Sequence, residues 1–99
     1  RRKMFSRISL IRFDPQRLEE AHRLWLTVSV PQALAQKGCR NMRGFRSLDD
    51  AGLMIIVSEW DSREEADTYM YSPAHDEMMQ RYGTLIQGIE GRYPGALIE

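Results

Sequence analysis

A single cysteine, Cys39, leaves no partner for an internal disulfide, so burial and hydrogen bonding must hold the fold, as in proteins of reducing compartments. No apolar run approaches the roughly 20 residues that cross a bilayer as a helix. The beginning of the sequence is basic and strand-like, without the continuous apolar stretch of a secretory leader, and a cytoplasmic protein is the expectation. Neither sign of charge prevails: fourteen Lys and Arg balance fourteen Asp and Glu. General affinity for nucleic acid or an anionic membrane needs an unbalanced basic surface, so neither partner is expected. Two local basic groups remain. Arg1-Arg2-Lys3 reads as a solvated terminus, and Lys37, Arg40, Arg43 and Arg46 span a turn and a strand, where they need not share a face. There is no glycine-rich phosphate loop and no nucleophile–base pair. His22 has Leu26 rather than a second ligand four residues on, so no metal site is encoded on its helix.

What is present suits one domain over residues 1–99, with 42% apolar and 28% charged residues. Met4 to Phe13 alternates loosely and carries β-branched and aromatic side chains, the pattern of a strand. Ile8 and Leu10 point one way; Phe5, Arg7, Ser9, Ile11 and Phe13 point the other. Asp14-Pro15 is helix-start chemistry, and Leu18, Ala21, Leu24, Trp25 and Val28 follow at helical spacing. Pro31 should kink or restart that helix, and Gly38 should end it. Cys39–Leu48 reads as a weaker strand interrupted in character by Gly44. Asp49 to Gly52 is a turn, and Leu53–Trp60 is the strongest strand, apolar on both faces, as a strand covered on both sides would be. Ser62-Arg63-Glu64-Glu65 is a capping box. Ser72-Pro73 repeats the start signal, predicting a second helical piece that ends near Gly83. A last strand is expected within Ile89–Ile98.

Strand, helix, strand, strand, helix, strand is the order of a ferredoxin-like plait: an α+β fold, βαββαβ, with a four-stranded antiparallel sheet and helices on one face. Two of its strands present apolar residues to both faces, yet the helices can cover only one. A second copy of the chain is the simplest cover for the other, and pairing would also add the buried surface that a short chain lacks.

Gly38-Cys39, Arg46-Ser47-Leu48-Asp49-Asp50, Ser58-Glu59-Trp60-Asp61-Ser62-Arg63-Glu64-Glu65-Ala66 and Tyr71-Ser72-Pro73-Ala74-His75 occur in that order. Together they resemble the antibiotic biosynthesis monooxygenase family of dimeric α/β-barrel proteins, over roughly residues 5–87. The resemblance implies a homodimer joined through the uncovered sheet face, with a small apolar cavity between each sheet and its helices. Some members oxidise electron-rich aromatic compounds, quinol- or anthrone-like, with molecular oxygen and no cofactor; others bind or degrade haem. In the cofactor-free members a tryptophan and an amide side chain accompany the chemistry, which points to Trp60 and, as the sole asparagine, Asn41. Tyr69, His75, Met79, Tyr82 and Arg7 are the candidates for holding a small apolar or aromatic ligand. The haem-degrading pattern is not matched: the first strand has no asparagine, Tyr69 replaces a tryptophan and Met79 a histidine, with His75 one turn early. A non-catalytic ligand-binding or interaction module of the same fold is the alternative function.

Overall fold

The computed structural model describes residues 4–98; the Arg1-Arg2-Lys3 group lies outside them. Nine residues of alternating pattern form strand β1, Phe5–Phe13. The helical region that follows comprises α1 (Leu18–Leu24), a π-helical turn (Trp25–Ser29) and α2 (Val30–Leu34). Strands β2 (Cys39–Arg46) and β3 (Leu53–Trp60) form a hairpin, followed by helices α3 (Arg63–Met70) and α4 (Pro73–Tyr82), a short 3₁₀ turn, and strand β4 (Ile86–Ala96). The sheet order is β2-β3-β1-β4, with every pairing antiparallel. This is the ferredoxin-like plait.

Three expectations shift in detail. Asp14-Pro15 does not open the helix directly: the Asp14 side chain accepts from the Gln16 N–H at 3.0 Å, and α1 begins at Leu18. That is an Asx turn, the local alternative that aspartate offers the backbone. The restart expected at Pro31 is present, with the proline in the first turn of α2, but the chain stays helical up to it. The Val30 N–H reaches back five residues to the Trp25 carbonyl, a wider turn placed immediately before the proline, where the missing N–H and the ring bulk would otherwise disturb an α-helical ladder. The last strand starts three residues earlier than expected, at Ile86, because Phe13 pairs with Ile86 across irregular stretches of the β1–β4 register.

Both capping predictions hold. Ser62 Oγ accepts from the Glu65 N–H at 3.2 Å and donates to the Glu65 carboxylate at 3.0 Å, while Ser72 Oγ accepts from the His75 N–H at 3.2 Å. Gly44 does not interrupt β2. A Cβ there would lie 2.9 Å from the Trp25 ring, so the glycine admits the helix close to the sheet.

The core lies between the helices and one sheet face. Ile11 and Phe13 of β1 and Met54 and Ile56 of β3 meet Ala21, Trp25, Met78 and Tyr82 from the helices. A second cluster gathers Trp60, Ala33, Ala66 and Tyr69. Alternation puts Ile8, Leu10, Ile55 and Val57 on the opposite face, each half-buried and, among the described residues, with no helix above it. Among the described residues no helix is long and apolar enough to cross a membrane.

Candidate functional site

The two core clusters do not close on each other. Between them, the space open to water centres is about 70 Å³, ample for several waters. Alternation along the strands sets its floor: Arg7 and Ser9 from β1, Ser58 from β3 and Arg92 from β4. Helices supply the roof, with Trp25 and Ser29 from the π-helical turn, Tyr69 from α3, and His75, Met79 and Tyr82 from α4. Trp60, at the end of β3, closes one wall. The lining is therefore mainly aromatic and sulfur-bearing, with a few convergent polar groups, the usual composition of a small-molecule pocket.

The two tyrosines differ in what their hydroxyls can do. Ser29 Oγ donates to Met78 Sδ at 3.1 Å and lies 2.6 Å from the Tyr82 hydroxyl. With the single serine proton on sulfur, the Tyr82 proton goes to Ser29, and the stacking of its ring on Phe13 (centroids 5.7 Å apart) makes Tyr82 an anchor. Tyr69 is arranged the opposite way. Its hydroxyl accepts from Gln32 Nε2 at 3.0 Å, which leaves its own proton available to a ligand. The second Gln32 N–H goes to the Ala74 carbonyl at 3.1 Å, so both hydrogens of the amide nitrogen are engaged. Burial raises the pKa of both phenols, with the hydrogen bonds to Gln32 and Ser29 opposing it, and each stays protonated at neutral pH.

His75 packs edge-on against Tyr69, with ring centroids 5.1 Å apart. Burial lowers its pKa; the Arg92 and Arg7 charges lower it further, against an opposing effect from Asp76. The imidazole is thus neutral at pH 7 and can accept a proton. Arg7 is tied from outside the cavity by Asp67, with Nη2 to Oδ1 at 2.6 Å. Arg92 makes no hydrogen bond or ion pair among the described residues, and burial followed by the like charge of Arg7 lowers its pKa.

The structure brings Trp60, Tyr69, His75, Met79, Tyr82 and Arg7 to one cavity. Asn41 lies elsewhere. Strand alternation turns it to the open face, where its amide donates to Glu59 Oε1 at 3.2 Å. The amide nearest the cavity belongs instead to Gln32, 37 positions before the tyrosine it contacts. No local motif marks such a pair. Ser29 and Arg92 were equally silent; for Arg92, its alternation with Tyr93 along a correctly placed β4 would have supplied the signal. Among the described residues no cluster of three His, Cys, Asp or Glu side chains could hold a metal ion.

A family model described as antibiotic biosynthesis monooxygenase matches residues 4–81. No curated protein sequence matches the chain. Among solved structures, a putative antibiotic biosynthesis monooxygenase from Bordetella bronchiseptica superposes with a TM-score of 0.86 at 15% identity, over 98% of this chain and 99% of that one. One similarly described from Deinococcus radiodurans gives 0.78 at 13% identity, over 97% and 93%. A conserved protein from Methanosarcina mazei Go1 gives 0.76 at 12% identity, over 97% and 92%. At these identities the likeness speaks for the fold alone.

Proposed function

The chain belongs to the antibiotic biosynthesis monooxygenase family, and from that premise we propose that it oxidises a small electron-rich aromatic compound with molecular oxygen in this cavity. The observation that carries the reading is the neutral His75 beside Tyr69, whose hydroxyl proton is free, within an otherwise apolar chamber. A quinol- or anthrone-like substrate needs no resident redox group, because its anion can give electrons to oxygen directly. His75 takes the proton that creates this anion. Tyr69, fixed by Gln32, donates to the oxygen on which negative charge collects. Trp60 and Met79 hold the ring and keep water from it. For an anthrone-type methylene, one atom of dioxygen becomes the new carbonyl oxygen. The other leaves as water with the two hydrogens, the substrate supplying all four electrons.

Oxygen uptake with reduced naphthoquinols and anthrones, on metal-free protein, tests the reading. Turnover above the buffer rate is expected, and His75→Gln should lower kcat by about a hundredfold or more, the usual contribution of a general base. Uptake equal to buffer across the panel would sink it. One observation favours a second reading, a binding module without turnover. The His75 ring makes no hydrogen bond among the described residues, so nothing there sets its tautomer. A ligand that co-purifies and survives incubation with oxygen unchanged would select this alternative.

We also propose that two copies join through the open sheet face. Phe45 and Tyr93, 47% and 52% exposed, extend its half-buried centre of Ile8, Leu10, Ile55 and Val57. That apolar area is of the kind that marks an association surface.

A further inference from the structure

The polar floor of the cavity has an unusual charge balance. Among the described residues two arginines and a histidine line it, and no aspartate or glutamate does. Arg7 pairs in register with Pro94, and Ser9 with Arg92, which makes the two arginines diagonal neighbours on one face, about 7–8 Å apart in such ladders. Like charges so placed oppose each other. Asp67 answers the charge of Arg7, whereas no carboxylate among the described residues pairs with Arg92, which only Tyr71 favours electrostatically. Ser9 adjoins both arginines and Ser58 flanks Arg7 on its far side; both residues are buried, and neither hydroxyl makes a hydrogen bond among the described residues. An unbalanced cation, two idle hydroxyls and apolar walls together describe a receptor for an anion with a ring attached.

We propose that the cavity takes an aromatic carboxylate, its ring against Trp60, Tyr69 and Met79 and its carboxylate across Arg92 towards Arg7, with Arg92 as the specificity-determining residue. The planar guanidinium matches a carboxylate through two parallel N–H···O bonds. Ser9, directly opposite Arg92, supplies a further donor to the same oxygens. The inference rests on the oxygenase reading for the idea that a substrate ring occupies the chamber, and it adds the substituent by which that substrate is chosen. The carboxylate is a handle for binding and undergoes no reaction.

Calorimetric titration with 2-naphthoate and its uncharged isostere 2-naphthamide tests this without requiring turnover. The wild-type chain should bind the naphthoate about tenfold or more tightly, the scale of one charge-assisted hydrogen-bonded pair. Arg92→Gln should erase that preference while leaving the naphthamide affinity within about twofold, and Arg92→Lys should keep part of it, a point charge without the fork. Equal binding of the two ligands by the wild type, failure of both to bind, or a preference that survives in Arg92→Gln would each overturn the proposal. The wild-type comparison decides the matter even if a variant does not fold. A clear preference without oxygen uptake from any quinol would leave this inference standing and remove the oxygenase reading. Oxygen uptake indifferent to a carboxylate on the substrate would do the reverse.

Discussion

The two faces of the sheet are built in opposite ways. The face beneath the helices keeps polar groups at its centre: Arg7, Ser9, Ser58 and Arg92 sit within a ring of aromatic and methionine side chains. The open face keeps apolar groups at its centre, with charge around them. Arg12 bonds Asp50 (2.8 Å) and Glu90, while Arg43 approaches Glu59 at 3.8 Å. An apolar centre with a charged rim is how a protein–protein interface is organised. Convergent polar groups inside an apolar chamber are how a ligand site is organised. Burial in a single chain therefore does not tell which face is complete. The covered face retains unsatisfied electrostatics that a ligand would meet, and the exposed one retains apolar surface that a second sheet would meet.

The largest effect that would sharpen this contrast is on stability. Phe13, 1% exposed on the covered face, should cost about 3–5 kcal/mol as Phe13→Ala. Phe45→Ala on the open face should cost under about 1 kcal/mol when the chain is diluted to its single form, both read from urea unfolding. Next is association. Val57→Lys places a charge at the centre of the open face and should raise the dissociation constant of the proposed dimer by about a hundredfold or more, because a buried cation without a partner is costly. Sedimentation velocity measures it, and a wild-type chain that stays at 11.6 kDa at tens of micromolar would break the comparison outright.

A subtler effect concerns acid. His75 is faced by Arg7 from β1, Arg92 from β4, Tyr69 from α3 and Asp76 from its own helix. Its folded pKa lies below the ordinary 6.5, so the imidazole proposed as the base would remain competent above that lowered value and be lost beneath it. The acid limb of kcat/KM should accordingly fall below pH 6.5, and Arg92→Gln should move it upwards by removing a repelling charge. Stability follows the same sign: the unfolded chain takes the proton first, so it declines as pH drops below 6.5 and levels off below the folded pKa. The smallest expected effect is that of Asn41→Ala. Its side chain is on the open face, and kcat should stay within about twofold of wild type; a large loss would show that the open face takes part in the chemistry.

Most of the architecture could be read along the chain because local physics encodes it. Alternation in Phe5–Phe13 and Leu53–Trp60 assigned each side chain to a face, and Ser62 and Ser72 marked their helix starts through short-range hydrogen bonds. The misreadings occurred where two local signals competed. Asp14 could cap a helix or close an Asx turn, and the restart at Pro31 could follow a break or, as it does, a widened turn. For the site, Trp60, Tyr69 and His75 could be nominated through the ordered residues that resemble the family. Asn41 was nominated by residue type alone, and one step of the β2 pleat places it on the other face.

The order of elements, the two-sided apolar strands and the helix boundaries after β3 were determined by the amino-acid sequence itself, since each depends on residues within a few positions of one another. Tertiary structure alone decided that Gln32 would steady Tyr69, that Ser29 would occupy the Tyr82 proton, and that Arg92 would face Arg7 without a counter-charge. Those pairings join residues 37, 53 and 85 positions apart. Only the closing of the sheet and the packing of the helices over it bring such groups within hydrogen-bonding or Coulombic reach.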